Sequence, residues 1–143
     1  MDTLERNKQA ALVHALNPSN TERAMAAISP DLVWHGPADL PRTLDAWKAR
    51  HARFLQAFDI QDSRVEKVIA EGDLVFVEWS CTALHRGPFL GIAATGKSVA
   101  LYGMYVDRVV DGQVVEHWGL QDTMGVVSQL GGMPIPEAPR SAN

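Results

Sequence analysis

The residue best placed to do chemistry is Asp122, a carboxylate at the end of a predicted strand. The Asp111-Gly112 pair lies between two apolar, β-branched runs. It predicts a two-residue hairpin turn, because both central positions of a type I′ turn need a positive φ. Regular alternation along the second strand then places Asp122 on the same face as Trp118. A carboxylate buried beside an indole is suited to acid/base catalysis, since desolvation raises its pKa toward neutrality. The alternative is that Asp122 caps a short helix predicted to follow it.

Histidines are the other candidate catalytic groups. His51 shares the apolar face of a helix predicted over residues 43–58, and His35 ends a short predicted strand. The five histidines are scattered along the chain, and no two have the spacing of a helical metal motif. This pattern predicts no metal site, although ligands can converge from distant segments. Asp107 and Arg108, close to the hairpin turn, are predicted to form a solvated strand end.

Five aromatic residues are available to line an apolar pocket. Trp47 is expected to be ordinary core, because it lies at helical spacing with the other apolar residues of its helix. The full set is Trp34, Trp47, Trp79, Tyr105 and Trp118.

Composition narrows the class of protein. The 143 residues are predicted to form one domain over residues 1–132, followed by a proline-rich tail over 133–143. The net charge of −4 argues against a nucleic-acid partner. The single cysteine, Cys81, lies in an apolar strand pattern and is expected to be a buried, inert thiol. No apolar run is long enough to span a membrane and the N-terminus does not resemble a signal peptide, so a cytoplasmic protein without a membrane partner is expected.

The predicted elements place helices first and strands second, which is typical of an α+β fold. We predict a curved, mostly antiparallel sheet wrapped around about three N-terminal helices to form a cone, with the site inside the cone. The run over residues 97–110 is apolar on both faces, so its outer face is predicted to meet a second subunit. Helices are predicted over residues 2–16, 20–28 and 43–58, and strands over 32–35, 60–70, 74–85, 97–110 and after the Asp111-Gly112 turn.

Several ordered motifs resemble the SnoaL-like polyketide cyclase family, within the NTF2-like superfamily of cystatin-like α+β barrels. The resemblance extends from about residue 8 to residue 130. The motifs that carry it are Trp34-His35-Gly36-Pro37, the run from His51 to Phe58, Val77-Glu78-Trp79, the run from Phe89 to Lys97, and Asp111 to Trp118 with Asp122.

This resemblance implies a homodimer that acts on a small apolar or aromatic substrate without a cofactor or metal. The family reaction is an intramolecular aldol closure of an aromatic polyketide ester, with an aspartate at the end of the last strand as the acid/base. That aspartate matches Asp122. His35 and His51 are then expected to donate hydrogen bonds to substrate oxygens. The side chains expected to stack on the substrate rings are Trp34, Trp79, Tyr105 and Trp118.

Two alternatives stay open at the level of sequence. One is an epoxide-hydrolase-like enzyme or a ketosteroid-isomerase-like enzyme, and in the isomerase Asp122 would act with Tyr105. The other is a non-catalytic protein that binds an apolar metabolite, which would keep the aromatic residues without needing an acid/base.

Overall fold

The computed structural model describes residues 2–132, and the predicted tail over 133–143 lies outside them. Nine helices and strands are found in this part of the chain. No helix within it is both long enough and apolar enough to cross a membrane. In chain order the elements are α1 (Thr3–Leu16), α2 (Thr21–Ala24), β1 (Ile28–His35), α3 (Leu44–Ala57), β2 (Phe58–Glu71), β3 (Leu74–His85), β4 (Ser98–Val110), β5 (Gln113–Gln121) and α4 (Thr123–Gln129).

The two long helices begin at polar caps. The Asp2 side chain accepts the Glu5 backbone N–H at 2.8 Å, and Thr43 accepts that of Ala46 at 3.2 Å. These bonds satisfy N–H groups that have no partner within the helix. The second helix is shorter than predicted, because the chain is already extended as β1 from Ile28 onward.

The five strands form one sheet in the order β1-β5-β4-β3-β2. Neighbours from β2 to β5 are antiparallel, and β1 joins the edge of β5 in parallel. Helix α1 packs on one face of the sheet and touches β2, β3, β4 and β5. The prediction of an α+β fold with a curved, mostly antiparallel sheet is therefore confirmed.

Strands β3 and β4 keep a strict alternation. Odd-numbered residues face the helices and even-numbered residues face outward. Gly103 on β4 lies beneath the Trp79 indole, and a Cβ at this position would come within 2.5 Å of that ring. The glycine therefore lets the indole lie close to the floor of the sheet.

The β4–β5 hairpin has the predicted turn but an unpredicted register. Asp111 and Gly112 have φ of 50° and 77°, as a type I′ turn requires. Val109 pairs with Val114, whereas Arg108 pairs with Glu116, so Val115 is an extra residue on β5. This bulge reverses the alternation beyond it. His117 is buried, and Leu120 is exposed on the outer face.

Candidate active site

A cavity of about 210 Å³ lies between the inner face of the sheet and helices α1 and α3. Its walls combine indole, phenyl and phenol rings with a few polar side chains, which is the usual character of a small-molecule site. The aromatic residues that line it are Trp34, Trp47, Phe54, Trp79 and Tyr105.

Three polar residues from three elements, of which Asp107 and His117 are buried, meet at the inner wall of this cavity. His14 of α1 lies 2.8 Å from one carboxylate oxygen of Asp107 (Nε2 to Oδ2). His117 of β5 lies 2.6 Å from the other (Nδ1 to Oδ1). Asp107 is fully buried. A carboxylate only accepts hydrogen bonds, so each imidazole donates through the nitrogen that faces it. We call this arrangement the His-Asp-His trio.

His117 presents its second ring nitrogen, Nε2, toward the cavity. No residue among 2–132 hydrogen-bonds this atom, and the ring is held by stacking on Trp47 with centroids 4.2 Å apart. Gly119 leaves the adjacent space open, because a Cβ there would lie 2.8 Å from Nε2. With Nδ1–H bound to Asp107, neutral His117 offers a lone pair at Nε2 and can act as a general base.

Burial sets the charge states of these groups. Desolvation lowers the pKa of His117, although the Asp107 carboxylate acts in the opposite direction. Burial raises the pKa of Asp107, but His14 and His117 outweigh this effect and hold it below its usual value. The trio therefore contains an ionised carboxylate beside a neutral His117 near pH 7.

Buried histidines are expected to make the protein less stable in mild acid. Desolvation lowers the pKa of His117, and also that of His51, in the folded state. Below the unfolded-state value of about 6.5 the unfolded chain binds more protons than the folded chain, so the free energy of unfolding falls as the pH falls. Urea unfolding at pH 7.5 and 5.5 measures this change. In a His51→Asn variant we expect a smaller loss of stability between pH 7.5 and pH 5.5. A wild-type protein that is more stable at pH 5.5 than at pH 7.5 would contradict the prediction.

Substituting Gly119 tests whether access to His117 matters. The methyl group of Gly119→Ala would lie 2.8 Å from Nε2. We expect kcat/KM to fall about 10- to 100-fold, because a small displacement of a reacting group has effects of this size. Gln113→Ala, at the exposed start of the same strand, is the control and should retain activity. Unchanged kinetics in Gly119→Ala would show that the substrate does not reach His117 Nε2 through the space next to Gly119.

Two further predicted residues line the cavity but have local partners. His51 pairs through Nδ1 with the Thr21 hydroxyl at 2.7 Å. The Tyr105 hydroxyl donates to the Ala11 carbonyl at 2.6 Å. Burial, followed by Asp107, raises the pKa of Tyr105 well above its usual value, so this phenol stays protonated. Cys81 also lines the cavity, and burial with a contribution from Asp62 raises its thiol pKa to about 11, which keeps the thiol protonated.

The structure places Asp122, Trp118 and His35 outside the residues that line the cavity. The expectation that Asp122 and Trp118 share the inner face of β5 is wrong, because it assumed regular alternation across the bulge at Val115. Asp122 is exposed and accepts the Gly125 N–H at 3.0 Å, so it forms the helix cap considered as its alternative. Its assignment as the acid/base stays a prediction from the family resemblance.

His35 and Trp118 form a separate cluster on the outer face. Their rings stack with centroids 4.8 Å apart, and His35 lies 2.7 Å from a Glu116 carboxylate oxygen. Arg108 bridges Glu116 and Asp73. These contacts satisfy the polar groups of the cluster within the chain itself.

Sequence reasoning missed the His-Asp-His trio, including its member Asp107, and also misjudged Trp47. Asp107 is not a solvated strand end, since it faces inward on β4 and is fully buried. Trp47 is not ordinary core, since it lines the cavity and stacks on His117. The missed signal was Asp107 itself, an acid on the inward-facing, otherwise apolar side of a strand.

Among residues 2–132, the trio is also the group that could hold a metal ion, with ligand atoms within 4.8 Å of one another. A metal would need the nitrogen lone pairs of His14 Nε2 and His117 Nδ1. In the present geometry both atoms point at Asp107 at hydrogen-bond distance, so metal binding would replace both bonds.

Comparison with known proteins agrees with this architecture. AclR from Streptomyces galilaeus, a candidate hydroxylase, is 29% identical with a TM-score of 0.82, over 94% of this chain and 87% of AclR. IdmH from Streptomyces antibioticus, a candidate polyketide cyclase, is 28% identical with a TM-score of 0.73, over 91% of this chain and 99% of IdmH. A SnoaL-like protein from Jannaschia sp. CCS1 is 22% identical with a TM-score of 0.77, over 94% of this chain and 98% of that protein. At this identity the similarity supports the fold alone.

These neighbours and the topology define an NTF2-like α+β cone. A search of curated proteins finds no match. A sequence profile of the SnoaL-like polyketide cyclase family matches residues 7–130. The chain belongs to the SnoaL-like polyketide cyclase family.

Proposed function

We propose that this protein closes a ring in an aromatic polyketide or a similar ester by an intramolecular aldol reaction, with His117 as the acid/base. One observation carries the proposal. His117 has Asp107 at one ring nitrogen and an aromatic cavity at the other. This arrangement can move a proton without a cofactor.

The proposed reaction has two proton transfers and one new bond. Nε2 of His117 removes a proton from a carbon next to a carbonyl group. The resulting carbanion attacks a ketone or aldehyde carbon of the same molecule and forms the ring C–C bond. The imidazolium then returns the proton to the alkoxide oxygen. No atom is gained or lost, and Asp107 stabilises the positive charge between the two transfers.

The cavity supports a flat, aromatic substrate. The partly exposed indoles of Trp47 and Trp79 line the cavity and can stack on substrate rings, and those rings delocalise the carbanion charge. The isomerase-like alternative is less well supported, because the Tyr105 hydroxyl that would stabilise an oxyanion already donates to Ala11.

The test is turnover of a tricyclic anthraquinone methyl ester that carries a side-chain ketone. Ring closure changes the absorbance but not the mass, whereas hydroxylation would add one oxygen atom. We expect a product of unchanged mass, and a kcat/KM that rises with pH through a value below that of an ordinary histidine. Binding without turnover would favour the non-catalytic alternative, and a heavier product would exclude ring closure alone.

We also propose that the outer face of the sheet pairs with a second copy of the chain. This face exposes Tyr102, Met104 and Leu120. The Glu78 carboxylate on this face accepts the Tyr102 hydroxyl at 2.6 Å and lies 3.5 Å from Lys67, so its charge is compensated within the chain. Light scattering after size exclusion should give a dimer, and Leu120→Asp should give a monomer. A monomeric wild type would contradict this proposal.

A further inference from the structure

The charged residues of the cavity wall are all basic. Among the described residues that line the cavity, no carboxylate is present. The ionisable nitrogen groups among the lining residues belong to Arg50, Arg64, His14, His51 and His117. Of these, Arg64 pairs with the outward-facing Ser80 and its side chain is exposed. Asp107 lies behind two of the imidazoles and both its oxygens are already bonded to them. A chain with a net charge of −4 thus has a cavity without negative side chains.

Among the residues that line the cavity, Arg50 carries the guanidinium without an anionic partner. Its guanidinium lies over the Trp34 indole, 5.9 Å from the ring centroid, at the exposed rim of the cavity. No hydrogen bond or ion pair to Arg50 is formed within residues 2–132, whereas the exposed Arg64 lies 3.4 Å from Asp62. Burial, followed by the neighbouring Arg53, lowers the pKa of Arg50, as expected for a cation that no carboxylate compensates.

We infer that the substrate carries an anionic oxygen group at the end that faces the cavity mouth, and that Arg50 binds this group. The guanidinium is held against an indole, so its fork of N–H donors loses little freedom when an anion binds. The substrate is then a polycyclic aromatic compound whose rings lie among the tryptophans and which carries, besides its ketone and any ester group, an anionic oxygen group at the rim. This inference rests on the proposed function, because it assumes that the cavity is the substrate site.

Two ligands of nearly the same size, one anionic and one neutral, show whether the cavity selects its ligand by charge or by shape. Anthraquinone-2-carboxylate and anthraquinone-2-carboxamide have nearly the same size, and only the first is an anion. Their dissociation constants can be measured by quenching of tryptophan fluorescence. For the wild type we expect the carboxylate to bind about tenfold or more tightly than the carboxamide, with the preference weakening as salt is added.

The variants assign the preference to one residue. Arg50→Gln should reduce the ratio of the two dissociation constants toward one, and Arg50→Lys should restore part of it. Arg53→Gln, on the same helix but not lining the cavity, is the control and should keep the wild-type ratio. A wild-type ratio near one, or an unchanged ratio in Arg50→Gln, would overturn the inference.

Failure of this inference can be distinguished from failure of the proposed function. The ratio is measured by binding alone, so it does not require turnover. If His117 is not the acid/base but Arg50 binds the anion, the wild type still binds the carboxylate probe more tightly than the carboxamide, and Arg50→Gln still loses this preference. If the substrate is neutral, ring closure by His117 is retained and the ratio is near one.

Discussion

Replacing His117 with asparagine is expected to lower kcat by about 10²- to 10⁴-fold, the usual contribution of a general acid/base. The amide nitrogen of the introduced side chain would stand where Nδ1 stands and could still donate to Asp107. The variant would lack the outer nitrogen that faces the cavity, together with the ring carbons that stack on Trp47. We therefore expect a folded protein with nearly unchanged affinity for an aromatic ligand, measured by tryptophan quenching beside the turnover assay.

Asp122→Asn is the matched comparison for this variant, because the two residues are the rival candidates for the acid/base. Asp122 is exposed and caps α4, and the amide oxygen of Asn can still accept the Gly125 N–H, so this variant should keep the cap and leave kcat within a few-fold of the wild type. The opposite result, loss of turnover in Asp122→Asn with activity retained in the His117 variant, would assign the chemistry to the family aspartate.

Removing the carboxylate of Asp107 is expected to have the largest effect on stability. In Asp107→Ala the imidazoles of His14 and His117 would lose their shared acceptor inside the protein. Breaking a buried charged pair in this way lowers the free energy of unfolding by about 3–5 kcal/mol. The free energy of unfolding of Asp107→Asn should fall less, because the amide oxygen can accept from one of the two imidazoles and the amide nitrogen can donate to the other. Urea unfolding followed by tryptophan fluorescence measures both changes.

Asp59→Ala provides the control for that experiment. Asp59 is half-exposed and lies 4.0 Å from Arg86, a contact worth about 0–1 kcal/mol at the surface. If Asp107→Ala were no less stable than Asp59→Ala, the trio would not contribute to folding, and its place in the active site would have to rest on kinetics alone.

The fold was largely predictable because it depends on patterns that are local in sequence. The strand over residues 74–85 and the Asp111-Gly112 turn are each determined by their own stretch of chain, and both were predicted correctly. Cavity residues could be predicted where alternation is regular, as for Trp79 and Tyr105. The expected inward placement of Trp118 and Asp122 is wrong because it depended on counting across a bulge that has no strong local signal.

The charged residues that lie opposite each other on β4 and β5 indicate the register of this hairpin. In a regular hairpin counted from the turn, Asp107 would face Glu116, which would set two carboxylates opposite each other. The bulge instead places Asp107 opposite His117, and Arg108 opposite Glu116. Like charges directly opposite are destabilising and opposite charges are favourable. The observed register can thus be argued from cross-strand pairs, but not from the polarity of β5 alone.

The extra residue at Val115 also affects how relatives should be aligned. A family member with an unbulged hairpin would carry its inward-facing counterpart of His117 one position nearer the turn. An ungapped alignment would match that residue to Glu116, which lies on the outer face here. Comparison of active sites within the family therefore needs a one-residue gap inside β5, placed by strand pairing rather than by sequence identity.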